Sequence, residues 1–132
     1  MVRTNRSKDR VVAIQRIGVS GGPGPVMSRC VIHNNMVYLS GIVSRDLSGD
    51  VTAQTEDVLQ TIDAALAEAG TDKFRILTAQ VWLSNMANFA AMNAVWNAWV
   101  DPENPPSRAC VSGDLFSPQA LVEIVVTALI EA

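Results

Sequence analysis

The stretch PPSRACVSGDLF, residues 105–116, places Arg108 two residues before Cys110, directly after a double proline and at the mouth of an apolar run. A guanidinium stays charged at any physiological pH and presents a planar fork of donors. At such a position it is either a solvated strand end or the anion-binding group of a site. Glu123 raises the complementary question, because it interrupts the apolar run LVEIVV. A carboxylate among branched aliphatics costs several kcal/mol if buried without a partner, so it calls for a cation or a hydrogen-bond donor. Arg108 is the candidate partner: the two residues lie on the last two strands, and the connecting VSGDLFSPQ is short enough for a hairpin that brings the strand ends together. Two chemistries are open to such a pair. It can be a structural ion pair, or the guanidinium can clamp a substrate carboxylate while the glutamate holds a water.

The elements that must position these residues can be read from periodicity and turn signals. RVVAIQRIGVS is a short strand that stops at GGPGP, where Gly and Pro prevent it from continuing. RCVIHNNMVYLSG is a pair of β-rich runs about Asn34-Asn35, residues that tolerate the positive φ of a tight hairpin turn, and it ends at Ser40-Gly41. Asp46, Ser48, Gly49 and Asp50 make the next stretch a loop or ragged edge strand. From Thr52 to Ala69, Val58, Leu59, Ile62, Ala65, Leu66 and Ala69 recur at three- and four-residue steps, with Gly70 as the cap, which predicts an amphipathic helix. FRILTAQVWLS reads as a strand. A second helix begins after a cap at Asn85 and carries Phe89, Met92, Trp96, Trp99 and Val100 on one face, a stripe that reads as core packing. Pro102, Pro105 and Pro106 end that helix, and RACVSG and ALVEIVVTALI are the closing strands.

The resulting order, β-β-β-α-β-α-β-β, is an α+β domain whose two helices cover only one face of the sheet. The final strand is apolar at nearly every position rather than alternating, so its second face must also leave water. With no third helix available, another subunit is the simplest cover.

Composition narrows the function further. The chain has 132 residues, enough for one domain with a real core, and 48% of them are hydrophobic against 17% charged. The net charge is −3, and beyond the basic start MVRTNRSKDR no cluster of Lys or Arg appears, so a nucleic-acid footprint is weak. That start, with Arg3, Arg6, Lys8 and Arg10, reads as a flexible solvated tail over residues 1–10. It lacks the apolar segment of a secretory signal, and no apolar run is long enough to span a membrane, which places the chain in the cytoplasm. Cys30 and Cys110 have no CxxC spacing and His33 stands alone, so the expectation is two free thiols and no metal site.

VYLSG at 37–41, QTEDVLQTIDAALAEAG at 54–70, NFAAMNAVWNAWV at 88–100 and, most specifically, PPSRACV followed by ALVEI together resemble the Rid family. These are the reactive-intermediate (imine) deaminases, also called the YjgF family and labelled endoribonuclease L-PSP. VIHNN with FAAMNAVWNAWV is most similar to the YoaB-like branch. The resemblance implies a chorismate-mutase-like α+β fold assembled as a homotrimer with clefts between subunits. It implies cofactor-independent hydrolysis of 2-imino acids to 2-keto acids and ammonia. Arg108 would bind the substrate carboxylate, Glu123 would orient the water, Cys110 would offer backbone groups to the imine nitrogen, and Gly41 would line the cleft by its backbone. Many members carry a Tyr in the loop before the first hairpin; that position here is Met27, so the pocket lining differs there. Two other functions use the same features: a small-molecule sensor that binds in the Arg-gated cleft without turnover, and an endoribonuclease or translation inhibitor, which the acidic charge disfavours.

Overall fold

The computed structural model describes residues 13–131, so the basic segment 1–10 lies outside the described residues. Two asparagines set the first hairpin: Asn34 and Asn35 take φ of 50° and 67°, the geometry of a two-residue turn whose twist matches the strands it joins. The turn joins β2 (Cys30–His33) to β3 (Met36–Leu39), and β1 (Gln15–Ile17) pairs antiparallel with β2. Beyond β3 the chain is more ordered than its polar turn signals suggest. Ile42–Val43 form β4, which continues along β7 (Val122–Leu129) where β3 leaves it. Between the two segments the register slips by one residue. Tyr38 opposes Thr127 while Ile42 opposes Ile124, and a bulge at Ser40-Gly41 absorbs the difference.

Helix α1 (Val51–Ala69) starts at Asp50, whose carboxylate accepts the Ala53 N–H at 2.9 Å, and ends at Gly70 in the left-handed conformation at φ 90°. Its stripe of Val58, Leu59, Ile62 and Leu66 is fully buried. A 3-10 turn (Lys73–Arg75) leads into β5 (Ile76–Leu83), and a second (Met86–Asn88), capped by the Asn85 side chain, leads into α2 (Phe89–Trp99). Of the expected α2 stripe, Met92 and Trp96 are core, while Phe89 stays 39% exposed.

The sheet order is β1-β2-β3-β7-β5-β6, with β6 (Ser107–Ser112) at the edge and β4 paired to β7. This corrects the expected hairpin between the last two strands. β5 inserts between them, antiparallel to β7 and parallel to β6, because α2 supplies the long crossover that a parallel pair needs.

Both helices pack on one face of this mixed sheet, over Val122, Ile124, Val126 and Ala128, none of which is more than 1% exposed. The alternate residues of β7, Glu123, Val125, Thr127 and Leu129, are half-buried on the opposite face, next to an exposed Tyr38. Among the described residues nothing covers that face, as the apolar pattern of β7 predicts. No helix among the described residues is long and apolar enough to cross a membrane.

One surface contact fixes the exit from β4. Asp57 on α1 accepts the Arg45 backbone N–H at 2.8 Å and pairs with the Arg45 guanidinium at 2.6 Å. These bonds hold the Asp57 carboxyl at a pKa of about 2. Because that value is depressed in the folded state, the stabilisation is complete above the ordinary carboxylate range and fades as pH falls from about 4 towards 2. Asp57→Ala is expected to cost about 1 kcal/mol at pH 7, discounted because Arg45 is solvent-exposed, and its melting curve should converge with that of the wild type near pH 2.

Candidate functional site

Arg108 and Glu123 do not meet within one chain. Arg108 is level with Ala79 on β5 and shares its helix-covered face; Glu123 is level with Trp82 and lies on the open face, two strands away. None of the ion pairs among the described residues includes either one. The expected intrachain partnership is therefore wrong. An intervening strand and the alternation of strand side chains place the two residues on opposite sides of the sheet.

Each instead heads its own half-site. The Arg108 guanidinium lies under α2, with its carbon 5.3 Å from the Trp96 ring centroid and 5.8 Å from that of Phe89. Cation–π attraction holds it there, yet Nη1 is buried with no hydrogen-bond partner. A guanidinium nitrogen removed from water and left unbonded calls for a hydrogen-bond acceptor, a role that an anion fills. Cys110, two residues on, points to the same side as Arg108 at half-burial; burial pushes its thiol pKa up and Arg108 opposes this only partly, which disfavours a reactive thiolate. Cys30, the other free thiol, is buried beneath the helices. The backbone of this edge opens onto a cavity of about 480 Å³ on the open face, lined by Thr78, Gln80, Ser107, Ala109, Val125 and Thr127 as well as Arg108.

The second half-site is built around Glu123. The bulge brings Gly41 so close that a Cβ there would overlap Glu123 Oε2, so glycine lets the carboxylate lie where it does. Gly41→Ala is expected to displace the carboxylate and cut any Glu123-dependent turnover by roughly 10- to 100-fold, while far-UV circular dichroism stays unchanged. Beside Glu123 a further cavity of about 350 Å³ is lined by Trp82, Asp114, Leu115 and Phe116.

Within one chain Met27 lines neither of these two cavities. It bridges to Ser20 in the loop after β1, beside the sheet edge opposite to β6, and is 40% exposed. Sequence reading also passed over Gln54. Fully buried on α1, it donates through Nε2 to the carbonyls of Leu47, Gly49 and Gln119 and accepts the Leu121 N–H at 2.9 Å. It thereby ties the loop leading into β7, the strand of Glu123, to the helix. The available signal was an amide on a helix face that otherwise buries apolar side chains.

Comparison with known proteins gives this geometry a family context. Residues 25–130 match the family described as Endoribonuclease L-PSP. The RutC family protein YoaB of Escherichia coli (strain K12) is 41% identical over 103 residues, 78% of this chain and 90% of its own. The 3-aminoacrylate deaminase RutC of Acinetobacter baylyi is 37% identical over 97 residues, 69% of this chain and 76% of its own. Among solved structures, NMB1025 of Neisseria meningitidis, a member of the YjgF protein family, superposes with a TM-score of 0.84 at 39% identity, over 90% of this chain and 96% of that one. With the α+β sheet, its two helices and the Arg-x-Cys and Val-Glu-Ile segments where the resemblance puts them, the chain belongs to the endoribonuclease L-PSP (YjgF/RutC) family.

Proposed function

We propose that this chain is a cofactor-independent deaminase that hydrolyses 2-imino acids to 2-keto acids and ammonia, in clefts shared by neighbouring subunits of a homotrimer. The observation that carries this reading is Arg108. Its guanidinium is held against two aromatic rings with a buried nitrogen unbonded, and no ion pair among the described residues includes it. A substrate carboxylate satisfies that fork. The deaminase name carried by the Acinetobacter relative supports the same chemistry.

In this mechanism Arg108 anchors the carboxylate, backbone groups at Cys110 receive the imine nitrogen, and Glu123 of the neighbouring subunit, held by the Gly41 bulge, orients a water against the imine carbon. The water oxygen forms a bond to that carbon while the C=N π pair moves to nitrogen. Glu123 takes the water's proton and returns it to nitrogen; it then takes the hydroxyl proton of the tetrahedral intermediate and passes it to the amine, which leaves as ammonia while the ketone C=O forms. Water and imino acid in, ammonia and keto acid out, balance without a redox partner. Positioning and one carboxylate that relays a proton twice suffice because the imine carbon is already electrophilic.

The shared cleft requires assembly, and the uncovered apolar face of β7 supplies a surface for it. Light scattering at micromolar concentration is expected to give three times the 14.2 kDa chain mass. A monomer would leave Arg108 without Glu123 and end this proposal. Turnover is tested by generating a 2-imino acid in place with an amino-acid oxidase and following release of the keto acid. Addition of the protein should accelerate release well beyond the spontaneous rate, and an unchanged rate would refute hydrolysis.

A further inference from the structure

The cavity beside Glu123 carries information about substrate that the carboxylate anchor does not. Trp82 is the direct cross-strand partner of Glu123, on the same face, so whatever reacts at the Glu123 carboxylate lies against its indole. The indole is held in place on two sides. Its Nε1 donates to Gln80 Oε1 at 3.0 Å, and its ring edge lies 3.0 Å from where a Cβ on Gly113 would be, so the Gly113 backbone packs tightly against it. Opposite, the loop between β6 and β7 presents Leu115 and Phe116, and Phe116 is 73% exposed although it is among the largest apolar side chains of the protein. These groups, together with the carboxylates of Asp114 and Glu123, line an open cavity of about 350 Å³, within the range of roughly 300–1,000 Å³ usual for small-molecule pockets.

The geometry points to an apolar specificity cup formed by Trp82, Leu115 and Phe116, which selects imino acids with a bulky, preferably aromatic, side chain over two- or three-carbon ones. This rests on the proposed reaction. With the imine carbon beside Glu123 and the carboxylate drawn towards Arg108, the remaining substituent of that carbon is directed to the cup. A small substituent leaves the cup wet, whereas a benzyl group fills it and stacks on Trp82 or Phe116. Burial of a ring in such a pocket is worth roughly 10- to 200-fold in discrimination.

The test compares kcat/KM for the imines made in place from phenylalanine and from 2-aminobutyrate. It also compares calorimetric affinities for the matching keto acids, phenylpyruvate and 2-oxobutanoate. The wild type is expected to favour the aromatic member of each pair by roughly 10-fold or more, and Phe116→Ala to lower that ratio by about 10-fold with the trimer mass unchanged. Trp82→Leu, which keeps an apolar side chain on the strand, should lower it similarly. If 2-iminobutanoate is hydrolysed as well as the aromatic imine, or Phe116→Ala leaves both ratios as they were, the cup is overturned and the hydrolase reading stands. If neither imine is hydrolysed but phenylpyruvate still binds more tightly in a Phe116-dependent way, the cup stands and the hydrolase reading falls.

Discussion

Arg108→Ala is expected to lower imine clearance by roughly 30- to 1000-fold, because under the proposed reaction it removes a charge-assisted, bidentate contact worth on the order of 2 to 4 kcal/mol. Arg108→Lys should fail substantially too, since a single ammonium cannot reproduce the planar fork. The substitution separates two roles cleanly. A guanidinium that serves only to pack against Trp96 and Phe89 would, on removal, relieve a buried unbonded nitrogen, leaving stability little changed or raised and clearance intact. Clearance and melting temperature measured on one preparation therefore decide the matter, and wild-type clearance by Arg108→Ala would remove Arg108 from the site.

Glu123→Gln should show the opposite kinetic signature. Its shape and half-burial are preserved, so the keto acid product should bind within a few-fold of the wild type, while kcat falls by roughly 100- to 1000-fold for want of a base on the water. A loss confined to KM would instead place Glu123 in substrate binding.

Much of this arrangement was legible in the sequence, and the reasons differ by element. The Asn34-Asn35 hairpin, the α1 stripe with its Gly70 cap and the one-sided helical layer follow from local chemistry and period, and all three are present. The relation of Arg108 to Glu123 was not legible, because strand adjacency is a long-range choice: the short 113–121 connection suggested a hairpin, whereas β5 pairs along both edges, with β7 and with β6, and so stands between them. The one-residue slip at Ser40-Gly41 was equally hidden, since it becomes visible only once β3 and β4 are both aligned against β7. Trp82 and Phe116 read as ordinary strand and loop residues until the sheet showed which of their neighbours is Glu123.

The central claim, hydrolysis in a cleft that takes Arg108 from one subunit and Glu123 from its neighbour, is tested most directly by mixing two crippled proteins. Arg108→Ala and Glu123→Gln chains, unfolded together in equal amounts and refolded, assort at random into trimers. In such trimers about one cleft in four joins an intact Arg108 to an intact Glu123. Clearance of a 2-imino acid is therefore expected to recover from near zero to about a quarter of the wild-type rate. Mixed trimers that form, by mass, and yet stay as inactive as either parent would contradict the shared cleft.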